Sequence, residues 1–174
     1  MLKLLNEWRR YLNEEEKKYI RMSGHTCDIS IKTGQLKELL NSDKKIKRLR
    51  VPGWSLQTTI YMHPDEYDYA SVAYCNKEPI AIVTLTDDHA RYEAQYGALN
   101  FFVDSWHRGM GLADRLFLDV MKYSFDREYI VASRGGRHML EKHGYQKVDE
   151  DCAYVDCAVY KNKNFDEGSS DDVY

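Results

Sequence analysis

Apolar residues recur at helical spacing in two segments of the chain. In residues 1–22 they lie three or four positions apart and are followed by a charged run. This pattern predicts an amphipathic helix at the N-terminus, added to the rest of the domain. In residues 111–125 one stripe of the predicted helix is entirely apolar and consists of Leu112, Ala113, Leu116, Phe117, Val120 and Met121. Two shorter helices are predicted at residues 35–40 and 135–143.

Runs of β-branched and other apolar residues predict the strands. Asn76-Lys77-Glu78 forms a polar link between two such runs, which is typical of a β-hairpin. The predicted strands cover residues 28–31, 69–75, 79–85, 99–103, 129–132 and 154–160. Helices therefore come first, then an antiparallel hairpin, then strand–helix–strand–helix–strand. This order favours an α/β (α+β) fold in which helices flank a mixed central sheet.

The length of 174 residues suits one domain, predicted here at residues 1–163. Apolar residues make up 43% of the chain, which is enough for a sizeable core without covalent staples. Residues 164–174 are mostly small or acidic, and this composition predicts a disordered tail.

A formal charge of −3 excludes a globally basic nucleic-acid binder. One basic segment, Lys44–Arg50, is followed by Trp54, so it is either a solvated helix face or a contact for a polyanion. No apolar run reaches the roughly 20 residues of a membrane span. The N-terminus is also too polar for a secretory signal. The chain is therefore expected to be cytoplasmic.

The four cysteines, at positions 27, 75, 152 and 157, are scattered and include no Cys-x-x-Cys pair. Their spacing differs from that of common zinc sites. A domain of this size does not need a disulfide framework either. The sequence therefore predicts reduced thiols and no metal site.

Candidate chemistry is concentrated between the predicted strand at 99–103 and the helix that follows it. The connecting loop contains Gly109 and Gly111, which allow a ligand to approach the main chain closely. The first amides of the helix lack partners within it and attract negative charge. Arg108 adds a positive charge suited to phosphate. This combination predicts an anion site, most naturally for a pyrophosphate, although the loop matches neither a Walker motif nor a dinucleotide-binding fingerprint.

Arg108, Gly111 and Ala113 match the pattern [RQ]-x-x-G-x-[GA] and resemble motif A of the GCN5-related N-acetyltransferase (GNAT) superfamily. The usual preceding context, Val-x-Pro-x-x-Arg, begins here at Val103 and has Ser105 in place of proline. The segment ending at Gly144-Tyr145 is similar to the family's Tyr-x-x-x-Gly-Phe/Tyr ending. The resemblance covers residues 69–160 as a cofactor-binding core and implies a splayed sheet of the acyl-CoA-binding type.

The resemblance implies acetyl-CoA as co-substrate and a primary amine as acceptor, which attacks the thioester directly. It implies that the backbone of Phe102 and Val103 pairs with the pantetheine arm. One of these two residues is also expected to donate an N–H to the oxyanion. The residues expected to hold the pyrophosphate are Arg108, Gly109, Met110, Gly111, Leu112 and Ala113.

The catalytic groups are less well defined by the sequence. Glu93 is the candidate base, although it can equally be a surface carboxylate. Leu140 occupies the position at which many relatives carry a tyrosine acid. Ser133 or a nearby tyrosine can substitute for that acid, or the thiolate can leave unprotonated.

Three functions stay open at this point. The acceptor can be a small-molecule or protein amine, or, given the basic segment, a nucleic-acid base or its modification. Leu140 also leaves room for a binding domain without catalysis. The helix at 1–22 is expected to pack on the domain, to cap the acceptor groove or to form a homodimer contact.

Overall fold

The computed structural model describes residues 27–49, 64, 68–87, 96–149 and 157–165. Seven strands form one mixed sheet in the order β1-β2-β3-β4-β5-β7-β6. Neighbouring strands are antiparallel except for β4 and β5, which are parallel. The strands are β1 (Ile29–Gln35), β2 (Tyr69–Cys75), β3 (Glu78–Asp87), β4 (Tyr96–Val103), β5 (Tyr129–Ser133), β6 (Gln146–Asp149) and β7 (Cys157–Lys161).

Three α-helices pack against this sheet in the described part of the chain: α1 (Leu36–Ser42), α2 (Leu112–Val120) and α3 (Arg134–Lys142). The main core cluster lies between one face of the sheet and α2 and α3. A second cluster lies on the opposite face, beneath α1 and the 3-10 helix Lys44–Arg48. None of the described helices is both long and apolar enough to cross a membrane.

The amphipathic pattern of α2 is confirmed. Its apolar stripe is buried in the main cluster, whereas Leu118 on the opposite side is 49% exposed. The α-helix is shorter than predicted because it ends at Val120 and continues as a 3-10 turn, Met121–Tyr123.

The predicted hairpin is confirmed as β2 and β3. Its two-residue turn consists of Asn76 and Lys77, which have positive φ angles of 49° and 69°. A two-residue turn of this kind matches the right-handed twist of the flanking strands. The hairpin places the last residue of β2 and the first of β3 at one end of the sheet.

Several strand predictions need correction. β1 runs to Gln35, four residues beyond its predicted end. β4 begins at Tyr96, three residues before the predicted start. β6 was not predicted, because all four of its residues are exposed and three are polar, which gives no buried alternation to detect. The predicted helix at 1–22 lies outside the described residues. Of the predicted tail, Asn164 belongs to the packed structure, where its side-chain amide donates to the Tyr145 hydroxyl (3.1 Å); residues 166–174 are outside the described part.

The prediction of reduced cysteines is wrong in this structure. Cys27 and Cys75 form a disulfide, and Cys157 is also disulfide-bonded. The register explains the first pairing, because Ile29 of β1 lies opposite Cys75 and Cys27 is two residues earlier on the same face. Reduced thiols had supported the expected cytoplasmic location, and that support is lost.

Gly97 in β4 is expected to tolerate no side chain. An added Cβ would overlap Cδ of Arg127 and lie 3.1 Å from Cδ1 of Leu85, and both neighbours are buried. Gly97→Ala should therefore lower the free energy of unfolding by about 1–3 kcal/mol in urea denaturation. The matched control is Gly34→Ala in β1, where nothing lies within 4 Å of the added Cβ. Equal stability of the two variants would contradict the packing argument.

Candidate functional site

The sheet opens between β4 and β5. Their parallel pairing is limited to Tyr96–Leu99 on one strand and Tyr129–Ala132 on the other. β4 continues to Val103 with β3 as its neighbour on one side only. The predicted splay is therefore confirmed, and it leaves one side of the second half of β4 open to an extended ligand.

Hydrogen bonds at the end of β4 show which backbone groups face this gap. The Asp104 N–H donates to the Ile80 carbonyl of β3 (2.8 Å), so the backbone polar groups of Asp104 point toward β3. Because these groups alternate along a strand, those of Phe102 also point toward β3, and those of Phe101 and Val103 point into the gap. The Val103 carbonyl accepts a bond from Arg108 Nε (3.1 Å) on that side.

The loop after β4 leads directly into α2. It begins with a 3-10 turn, Ser105–His107, and then passes through Gly109 (φ +81°) to Gly111 (φ +72°). Both φ values lie in the left-handed region that favours glycine. Gly111 is the N-cap of α2, and no side chain in the described structure caps this helix. The first amides of α2 are thus available to an anion next to the exposed Arg108.

A cavity of about 420 Å³ lies where the gap meets this loop. Its walls combine the end of β4 with the start of α2, and Asp114 and His107 border it. The lining includes every predicted cofactor-contact residue except Met110, namely Phe102, Val103, Arg108, Gly109, Gly111, Leu112 and Ala113. Met110 instead packs against the main core cluster. Its side chain therefore belongs to the core, and only its backbone remains a candidate.

Asp114 joins the first turn of α2 to the end of α3. Its carboxylate accepts hydrogen bonds from His143 Nε2 (2.9 Å) and from Lys142. Burial alone would raise the pKa of Asp114, but the bonds from Lys142 and His143 outweigh this effect and hold the pKa below its ordinary value of 3.8. The carboxylate at the cavity border thus stays ionised and hydrogen-bonded to Lys142 and His143.

Leu140 supplies no acid to the cavity. It is fully buried in the main core cluster. Tyr145, five residues further on, does not replace it: burial raises its pKa to about 12, and its hydroxyl accepts a bond from Asn164 outside the cavity.

Of the two predicted catalytic residues, Ser133 ends β5 opposite Cys157, and Glu93 lies outside the described residues.

Two buried polar residues, one on β3 and one on β4, were missed by the sequence analysis. Asn100 of β4 lies opposite Thr84 of β3, on the face that carries the second core cluster. The Asn100 Nδ2 and Thr84 Oγ1 atoms are buried, and neither has a hydrogen-bond partner in the described structure. The available signal was an asparagine within the otherwise apolar run Leu99–Val103. Such buried, unpaired groups are costly and are typical of ligand sites.

Comparisons with known proteins identify the family. The acetyltransferase (GNAT) family model matches residues 34–145, which is more than half of the chain, and the chain therefore belongs to the GNAT acetyltransferase family. No curated protein sequence matches it.

Solved structures show the same fold. The yncA protein of Salmonella typhimurium, solved with its cofactor acetyl-CoA, is 12% identical with a TM-score of 0.54, over 84% of this chain and 99% of that one. Diaminobutyrate acetyltransferase EctA from Paenibacillus lautus, solved with its substrate L-2,4-diaminobutyric acid and coenzyme A, is 9% identical with a TM-score of 0.52, over 82% and 99%.

Proposed function

We propose that this protein is an N-acetyltransferase that moves the acetyl group of acetyl-CoA to a primary amine. Acetyl-CoA is the co-substrate, and the amine attacks the thioester directly. The observation that carries the proposal is the gap beside β4 beyond Leu99, which runs into a cavity bordered by a glycine loop and a helix N-terminus. An extended arm ending in a diphosphate fits this combination of an open strand side and an anion site.

The binding roles follow from the directions of the backbone groups. The N–H and C=O groups of Phe101 and the N–H of Val103 pair with the pantetheine amides as a neighbouring strand would, while Phe102 lines the cavity. The amides from Gly109 to Ala113 and the side chain of Arg108 hold the diphosphate. Phe101 thus takes the pairing role that the sequence suggested for Phe102.

Catalysis requires proton removal, oxyanion stabilisation and departure of the thiolate. Glu93 accepts the proton of the acceptor amine. An N–H of Phe101 or Val103 donates to the oxyanion that forms as the nitrogen bonds to the acetyl carbon. The carbon–sulfur bond then breaks. Since a thiol has an ordinary pKa of about 8.5, the thiolate leaves unprotonated or takes a proton from Ser133.

The acceptor class is the least defined part of the proposal. Asn100 lies on the part of β4 beyond Leu99, and its unpaired side-chain amide is the group that we assign to acceptor recognition. A polyanionic acceptor is the second candidate, because Lys44, Lys47 and Arg48 are exposed, whereas Lys45 pairs with Glu78.

Intact-mass analysis with acetyl-CoA tests the proposal on three acceptor classes: small amines, peptides and nucleic acid. We expect one class to gain an acetyl group, and Glu93→Gln to lower kcat by about 10²–10⁴-fold with acetyl-CoA affinity unchanged. Glu38→Gln on the exposed side of α1 is the matched control. Absence of acetyl-CoA binding in calorimetry would refute the proposal. Binding without any product would favour a non-catalytic domain.

A further inference from the structure

Three potential metal ligands meet at one end of the sheet. The sulfur atoms of Cys27 and Cys75 and a ring nitrogen of His107 all lie within 4.8 Å of one another, and all three residues are partly buried. Cys27 lies two residues before β1, Cys75 ends β2, and His107 ends the 3-10 turn after β4. Three separate segments thus converge on one point beside the glycine loop.

The face of the sheet explains this convergence. Cys75 and Ile29 pack against the main core cluster, which lies on the same face as α2. Cys27 shares that face with Ile29, because alternate residues of a strand point the same way. The chain leaving β4 enters α2 over this face and carries His107 toward the two sulfur atoms.

A carboxylate orients the histidine. His107 Nδ1 lies 3.1 Å from Asp104 Oδ2, and an ionised carboxylate can only accept a hydrogen bond. With Nδ1 held by the Asp104 carboxylate, Nε2 is the ring nitrogen left to bind a metal. Histidines that bind metals almost always donate their other ring N–H to a carboxylate, a carbonyl or water. Asp104 thus supplies the hydrogen-bond partner that a metal-binding histidine requires.

We propose that, once the Cys27–Cys75 disulfide is reduced, the two cysteines and His107 bind one zinc ion. Two thiolates and an imidazole are a ligand set that suits zinc, with a water in the fourth position. Ligands of a tetrahedral zinc ion lie about 3.5–3.8 Å from one another. The three ligand atoms already lie within 4.8 Å of one another, and reduction frees the two sulfur atoms to move apart. Such a site would link three segments: the start of β1, the end of β2 and the start of the glycine loop.

The chemistry balances in two steps. A dithiol reductant gives two electrons and two protons to the disulfide and becomes a disulfide itself, which leaves two thiols on the protein. Zinc then displaces one proton from each thiol, and both protons pass to the solvent. The oxidised and zinc-bound forms are therefore alternative states of the same two cysteines, and a reducing environment favours the second.

Cobalt titration of the reduced full-length chain tests the proposal. The protein is reduced with a dithiol, desalted without oxygen into metal-free buffer and titrated with Co²⁺, whose thiolate charge-transfer and tetrahedral d–d bands report the ligand set. We expect one equivalent to bind and Zn²⁺ to displace it. With Zn²⁺ present, Cys27 and Cys75 should resist alkylation in peptide mass spectrometry, and removal of Zn²⁺ with a chelator should restore their alkylation.

Two variants and two controls make the test specific. His107→Gln leaves both cysteines in place and should weaken Co²⁺ binding at least about 100-fold, and Asp104→Asn should weaken it about 10–100-fold. Exposed His138→Gln and Cys157→Ser should leave the spectrum unchanged. Thermal melting checks that each variant is folded. The proposal is overturned if the disulfide resists reduction in the folded chain, if the reduced protein shows no thiolate–cobalt band, or if His107→Gln binds as the wild type does.

Discussion

Gly111→Val is expected to reduce acetyl-CoA affinity by about 100-fold or more. Gly111 has a φ of +72°, and a β-branched residue in this left-handed region is strained by at least about 1–2 kcal/mol. Gly111 also lines the cavity, so the added side chain would enter the space assigned to the diphosphate. Each 1.4 kcal/mol corresponds to about a tenfold change in affinity, and strain and obstruction act together. Isothermal titration calorimetry with acetyl-CoA measures the loss.

Gly144→Val is the matched control for this backbone strain. Gly144 ends α3 with a similar φ of +76°, and an added Cβ would meet nothing within 4 Å. Both variants should therefore lose comparable stability in thermal melting, and only Gly111→Val should lose acetyl-CoA binding. If the two variants bind equally well, the diphosphate does not lie against Gly111 and the loop assignment fails.

Leu116→Ala is expected to cost about 2–5 kcal/mol of unfolding free energy. Leu116 is fully buried in the main core cluster, where it holds the middle of α2 against the sheet. Removing its side chain loses burial and leaves a cavity that its tightly packed neighbours fill only in part. Urea denaturation measures the change in unfolding free energy. An m-value equal to that of the wild type shows that the variant unfolds by the same transition.

Leu118→Ala on the same helix provides the comparison. The Leu118 side chain is 49% exposed, so its truncation should change stability by no more than about 0.5 kcal/mol. Both substitutions make the same chemical change on one helix, so helix propensity cancels between them. Similar losses of stability in the two variants would mean that α2 does not pack on the sheet through its apolar stripe. Packing of that stripe would then not explain where the N-terminus of α2 lies.

Much of the cofactor half of the site was predictable because its signals are local. The helix stripe and the loop with Arg108, Gly111 and Ala113 lie within a few residues of one another, so spacing alone places them on one strand–loop–helix unit. The structure adds the direction of the backbone groups. The bond from Asp104 to Ile80 assigns Phe101 rather than Phe102 to the gap, and the core contact of Met110 removes its side chain from the cavity lining.

The proposed acceptor half of the site was less predictable because it depends on contacts between distant segments. Asn100 and Thr84 become neighbours only through the register of β3 and β4. Leu140 could be recognised as a replacement for tyrosine, but its complete burial depends on how α3 packs on the sheet. Glu93 lies outside the described residues, so its role as base remains a prediction.

The sequence by itself determined the parts whose physics is short-range: the amphipathic stripe of α2, the hairpin of β2 and β3, and the glycine loop that leads into α2. Periodicity, turn preference and unpaired amides each act within a few residues. The tertiary structure decided where β4 leaves β5 and that residues 27, 75 and 107 meet. Strand order and register set these distances, and they depend on packing of the whole sheet rather than on any one segment.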